Sequence, residues 1–348
     1  MMRPRNLIEN ASLENLSTMA TPAVARYLVS ARDAREARNA LEWASEQGLP
    51  VQLVGGGSNL IFCDDFPGLV LHMALKGRHW ASVEGDSATL VLAAGENWHQ
   101  AVLYAAAAGY GGLENLALIP GTAGAAPVQN IGAYGVELSD TFVGLTAWDR
   151  QAGQEVSLTA ADCRFGYRDS LFKQEADRYL ILEIRLALSR SRPYVLGYGQ
   201  LSQWFDDKEP SSPMAVAEAV MALRRRKLPD PSQLPNTGSF FKNPVVPRAQ
   251  WQALQEQWPE MVAYPMDDGV KLAAGWLIEQ CGWKGYRNRT VGVHHRQALV
   301  LVNHSSGTGA DVLALARRIR DDVQDSYGVT LEVEPGVVPA DCGLAPRD

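Results

Sequence analysis

The sequence VGGGSN occupies residues 54–59, between two predicted strands at residues 51–54 and 59–62. A dinucleotide-binding fingerprint needs G-x-G-x-x-G at the start of a helix, and a Walker A loop needs Gly-Lys-Ser/Thr, so neither motif is present. Successive glycines still let backbone N–H groups converge on an anion, and Ser58 and Asn59 add side-chain donors. The segment therefore predicts a pyrophosphate-binding loop, with a glycine-rich hairpin as the alternative.

A second stretch, LIPGTAGAAPVQNIGAYG at residues 118–135, is rich in small residues and prolines and fits no single helix or strand. Few side chains would separate its backbone from a flat ligand, so its N–H and C=O groups can contact a heterocycle or a phosphate. The segment is therefore a second candidate for ligand binding, with a purely structural loop as the alternative.

Composition restricts the class of protein. The chain has 348 residues, 46% of them hydrophobic, and a formal net charge of −7. These values predict two or three domains with sizeable cores and give no basic field for nucleic acid. The run RRRK at residues 224–227 can hold a phosphate-bearing small molecule locally. Because no apolar stretch is long enough for a membrane helix, a soluble cytoplasmic protein without a membrane partner is expected.

Cysteine and histidine positions give no metal or disulfide signal. The four cysteines lack C-x-x-C spacing; they are Cys63, Cys163, Cys281 and Cys342. This pattern predicts neither a disulfide framework nor a zinc site, and a reducing cytoplasm is expected. The adjacent His294 and His295 are expected on opposite faces of a strand, so no metal site is predicted there either.

Local signals predict several regular elements. Asp33 can cap a helix that Gly48 ends, and Ser212 followed by Pro213 can start another that ends at the basic run. Other helices are predicted near residues 98–108, 248–257, 271–280 and 310–327, and strands at residues 69–72, 89–92, 179–184 and 298–302. The proline-rich residues 228–232 predict a domain junction.

Three further segments read CRFGYRDS at residues 163–170, GSFFKNP at residues 238–244 and KLAAGWLIEQ at residues 271–280. Together with the two loops, and in the same order, they resemble the enolpyruvyl reductases of the MurB type. The resemblance extends from about residue 15 to residue 338. Residues 264–271, YPMDDGVK, resemble the tyrosine-bearing loop of type I members.

The resemblance implies an α+β fold. An FAD-binding fold of the vanillyl-alcohol-oxidase type would form two α/β subdomains, at residues 1–75 and 76–227. A C-terminal α/β domain at residues 228–348 would close over a UDP-sugar, and its last strand is a candidate to return to the first subdomain. Non-covalent FAD, NADPH as co-substrate and UDP-N-acetylglucosamine enolpyruvate as substrate are implied, in a protein expected to be a monomer.

In the mechanism that the resemblance implies, NADPH reduces FAD, and a hydride then passes to the terminal carbon of the enolpyruvyl double bond. Arg168 matches the residue that stabilises the enediolate formed next, and Ser239 matches the proton donor. Glu334 matches a glutamate with a raised pKa that donates a hydrogen bond. Pro-Gly at residues 335–336 replaces the family's Val-Arg, so an arginine expected near the flavin is missing and Glu332 remains an alternative to Glu334.

The resemblance also assigns binding residues. Those assigned to the cofactor are Gly55, Gly56, Gly57, Ser58, Asn59, Pro120, Gly121, Thr122, Gly124, Asn130, Gly132 and Tyr134. Those assigned to the substrate or NADPH are Tyr167, Tyr198, Lys227, Asn243, Tyr264, Lys271 and Gln297. Two alternatives stay open: another FAD-dependent oxidoreductase or oxidase of the same fold, and a nucleotide-sugar binding protein without catalysis.

Overall fold

The computed structural model describes residues 3–198, 200–206, 208–267 and 269–342. Contacts along the chain divide it into two compact units, each of which is built from several segments. The first unit comprises Met1–Ala11, Ala25–Gly56 and Pro67–Arg226, and the second comprises Ser12–Val24, Gly57–Phe66 and Lys227–Asp348. The division into three domains at residues 75 and 227 stays a prediction.

Strands and helices alternate along the described chain. The strands are β1 (Ile8–Ser12), β2 (Val24–Ala31), β3 (Val51–Val54), β4 (Leu60–Phe62), β5 (Phe66–Met73), β6 (Arg78–Glu84), β7 (Ser87–Ala93), β8 (Gly132–Ala133), β9 (Val136–Glu137), β10 (Phe142–Asp149), β11 (Gln154–Thr159), β12 (Tyr179–Ser189), β13 (Asn236–Ser239), β14 (Val245–Val246), β15 (Ala263–Met266), β16 (Gly269–Leu272), β17 (Val291–Val293), β18 (Val300–Asn303) and β19 (Gly336–Val338). The helices are α1 (Ala34–Glu46), α2 (Trp98–Ala107), α3 (Leu171–Gln174), α4 (Leu201–Trp204), α5 (Pro213–Lys227), α6 (Arg248–Gln257), α7 (Ala274–Gln280) and α8 (Gly309–Tyr327). Short 3-10 helices lie at Glu14–Leu16, Glu114–Leu116, Ala126–Gln129, Leu138–Asp140 and Ala340–Cys342.

The first unit contains a sheet in the order β1-β2-β5-β3, in which β3 and β5 are parallel. Helix α1 packs on this sheet through a buried stripe that includes Ala40 and Trp43. As predicted, Asp33 caps this helix, because its side chain accepts a hydrogen bond from Glu36 N at 2.8 Å. Gly48 follows the helix with a φ of 63° and allows the chain to turn into β3.

A second sheet of the first unit has the order β11-β10-β12-β7-β6, and its strands pair antiparallel. Alternate residues of β7 and β12, such as Leu90 and Ile184, are fully buried and share a core with α2 and α5. The predicted strands at residues 89–92 and 179–184 and the predicted start of α5 at Pro213 are therefore confirmed.

The second unit is built around three small sheets and helices α6, α7 and α8. The sheets have the orders β13-β18-β17, β14-β16-β15 and β19-β4, and β4 and β19 are parallel. Buried Phe240, Phe241 and Ile278 form one core with the apolar face of α8. The helices predicted at residues 248–257 and near 310–327 are confirmed.

Two sequence-based expectations about local structure are wrong. The helix predicted at residues 271–280 begins at Ala274, because Lys271 and Leu272 lie in β16 and pair with β15. The Asn243 side chain accepts a hydrogen bond from Ala274 N at 3.0 Å and so satisfies the first turn of α7. A glycine-rich hairpin at residues 54–59 is also excluded, because β3 pairs with β5 whereas β4 pairs with β19.

The cysteine pattern was misleading as well. Cys63 and Cys342 form a disulfide, whereas Cys163 and Cys281 are free. The pair is separated by 279 residues in sequence but follows two adjacent parallel strands, and Cys63 N donates a hydrogen bond to Val338 O at 2.8 Å. Spacing along the chain could not reveal this pair, because the pairing of β4 with β19 creates it.

Within the described ranges, none of the helices combines the length and the apolar character that crossing a bilayer requires.

Candidate active site

The two loops predicted to bind a ligand touch each other within the first unit. A Cβ atom on Gly56 would lie 2.7 Å from Gly121 Cα, and one on Gly55 would lie 2.5 Å from Thr122 Oγ1. Real Cβ atoms do not approach other atoms this closely, so Gly56, which faces backbone, requires glycine, whereas a Cβ atom on Gly55 would displace the Thr122 side chain. The structure thus brings together these four residues, all assigned to the cofactor by the sequence.

The Thr122 hydroxyl is buried and has no hydrogen-bond partner among the residues that the structure describes. The loop around it is held firmly, because Ala123 N donates to Glu96 O and Gly124 N donates to Ala94 O, each at 2.8 Å. A buried hydroxyl left without a partner costs about 1–3 kcal/mol. The close approach of the loops and this unpartnered hydroxyl both fit a bound diphosphate-bearing cofactor, such as FAD.

Asn130, also assigned to the cofactor, uses its side chain to hold the second loop in shape. It is buried with a φ of 44°, and its Nδ2 donates to Glu137 Oε2 at 2.7 Å and to Gly166 O at 3.3 Å. Its Oδ1 accepts from Ser139 N at 3.0 Å. These bonds tie the second loop to the turn that carries Arg168.

Arg168 lies on a tight turn next to the second loop. Gly166 and Asp169 exchange backbone hydrogen bonds across this turn, and Arg168 itself has a φ of 55°. Few non-glycine residues adopt this conformation, and those that do are concentrated at functional sites. The guanidinium donates to Gly132 O at 3.0 Å and lies over the Tyr167 ring, 5.5 Å from its centroid. The predicted catalytic arginine is therefore in contact with the predicted cofactor loop.

Tyr134 and Tyr198 pack edge to face, with ring centroids 6.3 Å apart. Burial raises the pKa of the Tyr134 hydroxyl, while the positive charge of Arg224 opposes this rise. Burial lowers the pKa of the Arg224 guanidinium, and the nearby positive charge of Arg168 acts in the same direction. The structure thus places a second, largely buried cation near the predicted catalytic arginine, which is itself partly buried.

Sequence reasoning noted Arg224 only as part of a basic run and did not assign it to the site. Its Nε atom is buried and makes no hydrogen bond within the described part of the chain. A usable signal was present in α5, where Val216, Val220 and Leu223 form the buried stripe. Arg224 continues this stripe at helical spacing, and a cation at such a position is unusual unless it has a function.

In the second unit, Gly57 lies against the segment that precedes β2. It has a φ of 61°, and a Cβ atom there would overlap the Leu16 carbonyl oxygen. Thr18 N donates to Gly57 O at 3.1 Å, and Thr18 Oγ1 donates to Ser58 O at 3.5 Å. The end of the glycine loop is therefore fixed by backbone contacts.

Ser239 and Glu334 are brought close together in the second unit. Ser239 is the last residue of β13, and the next residue, Phe240, accepts a hydrogen bond from Glu334 N at 2.9 Å. On its other side, Glu334 O accepts from Asn59 Nδ2 at 3.4 Å, and Asn59 O accepts from Gly336 N at 2.9 Å. Glu334 therefore links the predicted proton donor to the end of the glycine loop.

Glu332 is placed differently. Its backbone oxygen accepts from Lys242 N at 2.9 Å, and its carboxylate forms an ion pair with the Lys242 ammonium group. The Glu332 side chain is 69% exposed. This arrangement favours Glu334 over Glu332 as the carboxyl group at the site.

The remaining predicted substrate residues of the second unit form two pairs, with Lys227 apart from both. Tyr264 and Lys271 lie opposite each other on β15 and β16. Asn243 caps the first turn of α7, and the Gln297 side-chain oxygen lies 3.2 Å from the position of a Cβ atom on Gly275 in the same turn. Lys227 is exposed at the end of α5, and Asp268 of the loop at residues 264–271 lies outside the described residues.

The expectation that His294 and His295 lie on opposite faces of a strand is wrong. Strand β17 ends at Val293, and the two imidazole rings lie with their centroids 4.5 Å apart. Burial lowers the pKa of His294, and the neighbouring His295 acts in the same direction. In the part of the chain that the structure describes, three or more His, Cys, Asp or Glu residues nowhere form a group suited to a metal ion.

Comparisons with known proteins agree with these features. Residues 25–159 match the family described as an FAD binding domain, and residues 230–338 match the C-terminal domain of UDP-N-acetylenolpyruvoylglucosamine reductase. The chain is 52% identical over 334 residues to the UDP-N-acetylenolpyruvoylglucosamine reductase of Pseudomonas aeruginosa, covering 95% of this chain and 98% of that protein. It is 53% identical over 292 residues to that of Chromobacterium violaceum, covering 82% and 85%.

The fold is also similar to a solved structure. The crystal structure of the UDP-N-acetylenolpyruvylglucosamine reductase of Thermus caldophilus aligns with a TM-score of 0.67 and 24% identity, covering 97% of this chain and 100% of that chain. The α+β class and the FAD-binding fold predicted from the sequence are thereby confirmed, as is the family resemblance of the motifs.

Proposed function

This chain belongs to the UDP-N-acetylenolpyruvoylglucosamine reductase family, and from that premise we propose which of its residues carry the reaction. It is an FAD-dependent oxidoreductase, and it uses NADPH to reduce UDP-N-acetylglucosamine enolpyruvate to UDP-N-acetylmuramate, a precursor of peptidoglycan. The observation that carries this function is the similarity over nearly the whole length of both chains. The matches support this reaction and not an oxidase of the same fold.

When bound, FAD supplies hydride transfer from NADPH to the enolpyruvyl double bond. Gly55, Gly56 and Thr122 are proposed to hold its diphosphate, because their loops converge and the Thr122 hydroxyl has no hydrogen-bond partner among the described residues. The loop at residues 118–135 is proposed to contact the flat ring through its backbone. The cofactor is proposed to be bound non-covalently.

Arg168 is proposed to stabilise the charge that develops on the substrate. Addition of a hydride to the terminal carbon of the enolpyruvyl group leaves electron density on the adjacent carbon, which delocalises into the neighbouring carboxylate as an enediolate. A fixed guanidinium stabilises that dianionic state more than the ground state, because the charge on the carboxylate oxygens grows during the step. The hydrogen bond from Arg168 to Gly132 O orients the side chain for this role.

Ser239 is proposed to donate the proton that completes the reduction. Its O–H bond breaks, a C–H bond forms at the carbon next to the carboxylate, and the serine oxygen recovers its proton from solvent. Serine is a weak acid, but a carbanion-like carbon is a strong base, so the transfer is feasible when the two atoms are held in contact. Glu334 is proposed to donate a hydrogen bond to the enediolate as a neutral acid.

The other assigned residues are proposed to bind the substrate or NADPH. Lys227 and Lys271 carry positive charges suited to a diphosphate, and Tyr198 and Tyr264 offer rings that can cover a sugar or a base. Tyr264 and Lys271 are cross-strand neighbours, so they can act on one ligand group together. The enzyme is further proposed to act in the cytoplasm, where NADPH and nucleotide sugars are available. It is proposed to be a monomer.

Steady-state assays test this function. NADPH oxidation should depend on the enolpyruvyl sugar, and mass spectrometry should show a product that has gained two hydrogen atoms. Oxygen consumption without any need for the sugar would instead indicate an oxidase. Protein that retains FAD but reduces nothing would indicate a binding protein and would overturn the proposal.

A further inference from the structure

Strand β13 contains an irregularity immediately before Ser239. Asn236 lies opposite Val302 of β18, and Ser239 lies opposite Val300. Three steps along β13 are thus matched by two steps along β18, so β13 carries one extra residue. Such a bulge redirects the side chains that follow it and is common next to active sites.

The bulge determines the face on which Ser239 stands. Side chains alternate between the faces of a strand, so in an unbroken ladder Ser239 would point away from the face that carries Asn236. The extra residue reverses this direction and places Ser239 on the same face as Val300 and Val302. The orientation of the hydroxyl therefore depends on the bulge.

Asn236 holds this bulge in place. Its Oδ1 accepts a hydrogen bond from Gly238 N at 2.9 Å, and its Nδ2 donates to Leu234 O at 2.8 Å and to Pro229 O at 3.3 Å. The residue is only 2% exposed, so these bonds lie in a region without competing water. The amide group therefore ties Gly238, inside the bulge, to the chain that precedes the bulge.

The two residues inside the bulge support this description. Gly238 has a φ of 72°, and a Cβ atom at this position would meet nothing within 4 Å. The conformation therefore requires glycine because of its backbone angle and not because of crowding. The Thr237 hydroxyl is buried and finds no hydrogen-bond partner in the described ranges, which indicates that the bulge is not optimised for stability alone.

We propose that Asn236 is a positioning residue for proton donation, which acts by holding the bulge that directs the Ser239 hydroxyl. This inference rests on the proposed role of Ser239 as the proton donor. Asn236 itself does not exchange a proton with the substrate. A displacement of about 1 Å at a reacting atom can cost on the order of 100-fold in rate, so loss of the amide should affect the proton transfer strongly.

The two half-reactions separate this role from a general structural one. NADPH reduces the bound FAD without any need for Ser239, whereas reoxidation by the enolpyruvyl sugar includes the proton transfer. In stopped-flow experiments, Asn236→Ala should slow reoxidation by roughly 10- to 100-fold and leave the reduction within about twofold of the wild-type rate. The solvent deuterium isotope effect on reoxidation should rise, because proton transfer becomes rate-limiting.

Asn236→Ser provides a rescue. A serine hydroxyl can accept a hydrogen bond from the backbone N–H two residues later, so part of the lost rate should return. Gly238→Ala provides an independent test that removes no buried hydrogen bond and introduces no clash. The matched control is Gly328→Ala at the end of α8, where φ is 63° and a Cβ atom again meets nothing within 4 Å.

The expected pattern is slow reoxidation in Asn236→Ala and Gly238→Ala, partial recovery in Asn236→Ser and normal rates in Gly328→Ala. Equal slowing of both half-reactions, or normal reoxidation in Gly238→Ala, would overturn the inference. Gly238→Ala decides the matter if Asn236→Ala does not fold. The proposed role of Ser239 is judged separately: if Ser239→Ala reoxidises normally, that role fails, whatever the other variants show.

Discussion

Glu334 and Glu332 are two residues apart, but their surroundings differ. The Glu332 carboxylate is exposed and forms an ion pair with Lys242. The backbone of Glu334 donates a hydrogen bond to Phe240 O and accepts one from the Asn59 side chain. Sequence reasoning could not choose between them, because Pro-Gly at residues 335–336 breaks the family pattern. The hydrogen bond from Glu334 N to Phe240 O favours Glu334, because it sets the register of residue 334 against the chain just after β13.

This register yields a prediction for the two glutamates. Glu334→Ala should lower the turnover number by about 100-fold or more, because loss of one hydrogen-bond donor to a developing anion costs roughly 10²–10³ in rate. Glu332→Gln should stay within a few-fold of the wild type, because an exposed ion pair contributes little. The measurement is the turnover number of both variants at saturating substrate. A larger loss in Glu332→Gln would reverse the assignment.

The site residues were predictable to different degrees. Arg168, Ser239 and Gly56 are assigned through the family resemblance of the segments that contain them, and their roles stay predictions. Asn130 was assigned to the cofactor loop, but its hydrogen bonds to Glu137 and Gly166 were not predicted, because they depend on the folded loop. Arg224 was interpreted only as part of a basic run, although its helical spacing from Val220 and Val216 placed it next to the buried stripe of α5.

Among the secondary-structure elements, the sequence predicted helix ends correctly where neighbouring residues determine them. Asp33 caps α1 and Pro213 opens α5, as expected from the preferences of helix ends. The start of α7 was misplaced because Lys271 pairs with a neighbouring strand, which no helical spacing can show. The pairing of β4 with β19 joins residues far apart in sequence, and the disulfide that depends on it was missed for the same reason.

The contact between the two glycine-containing loops leads to a second prediction. Gly56→Ala should force the backbone at Gly121 to move, since the added Cβ would lie 2.7 Å from its Cα. Crowding of this kind costs about 1–3 kcal/mol, and 1.4 kcal/mol is tenfold in affinity, so the dissociation constant of FAD should rise about tenfold or more. Titration of FAD into apoprotein, followed by flavin fluorescence, measures this constant.

Gly153→Ala is the control for that experiment. Gly153 lies in the turn between β10 and β11 with a φ of 64°, and a Cβ atom there would meet nothing within 4 Å. This variant adds backbone strain at a distance from the loops, so FAD affinity should remain at the wild-type value. Wild-type affinity in Gly56→Ala would show that the loop contact is not needed for the cofactor.

At the scale of the whole molecule, the ion pair between Asp149 and Arg178 predicts a dependence of stability on pH. Hydrogen bonds from the Arg178 side chain lower the pKa of Asp149 from 3.8 to about 2. A depressed pKa means that the folded state favours the charged carboxylate. Its contribution to stability is therefore complete above pH 3.8 and is lost as the pH falls towards 2.

Thermal unfolding between pH 5 and pH 2 tests this dependence. The midpoint temperature of unfolding should fall more steeply with decreasing pH for the wild type than for Asp149→Asn, which has no carboxylate to protonate at this position. Glu155→Gln, which removes an exposed carboxylate from the neighbouring strand β11, should follow the wild-type curve. Parallel curves for the wild type and Asp149→Asn would contradict the predicted contribution.

The disulfide predicts the number of accessible thiols. Cys163 and Cys281 are free, so about two thiols should react with a thiol reagent in denaturant without reductant, and all four cysteines should react after reduction. Cys281→Ser should reduce the first count to one. Four reactive thiols before reduction would show that Cys63 and Cys342 are not joined in the isolated protein.

The central claim is that this chain transfers a hydride from NADPH through FAD to an enolpyruvyl sugar. The most direct measurement is the visible flavin absorbance of the purified protein without oxygen, first after adding NADPH and then after adding UDP-N-acetylglucosamine enolpyruvate. The account predicts bleaching in the first step and recovery in the second, with formation of the lactyl product. Bleaching without recovery would contradict the substrate, and failure to bind FAD on reconstitution would contradict the account as a whole.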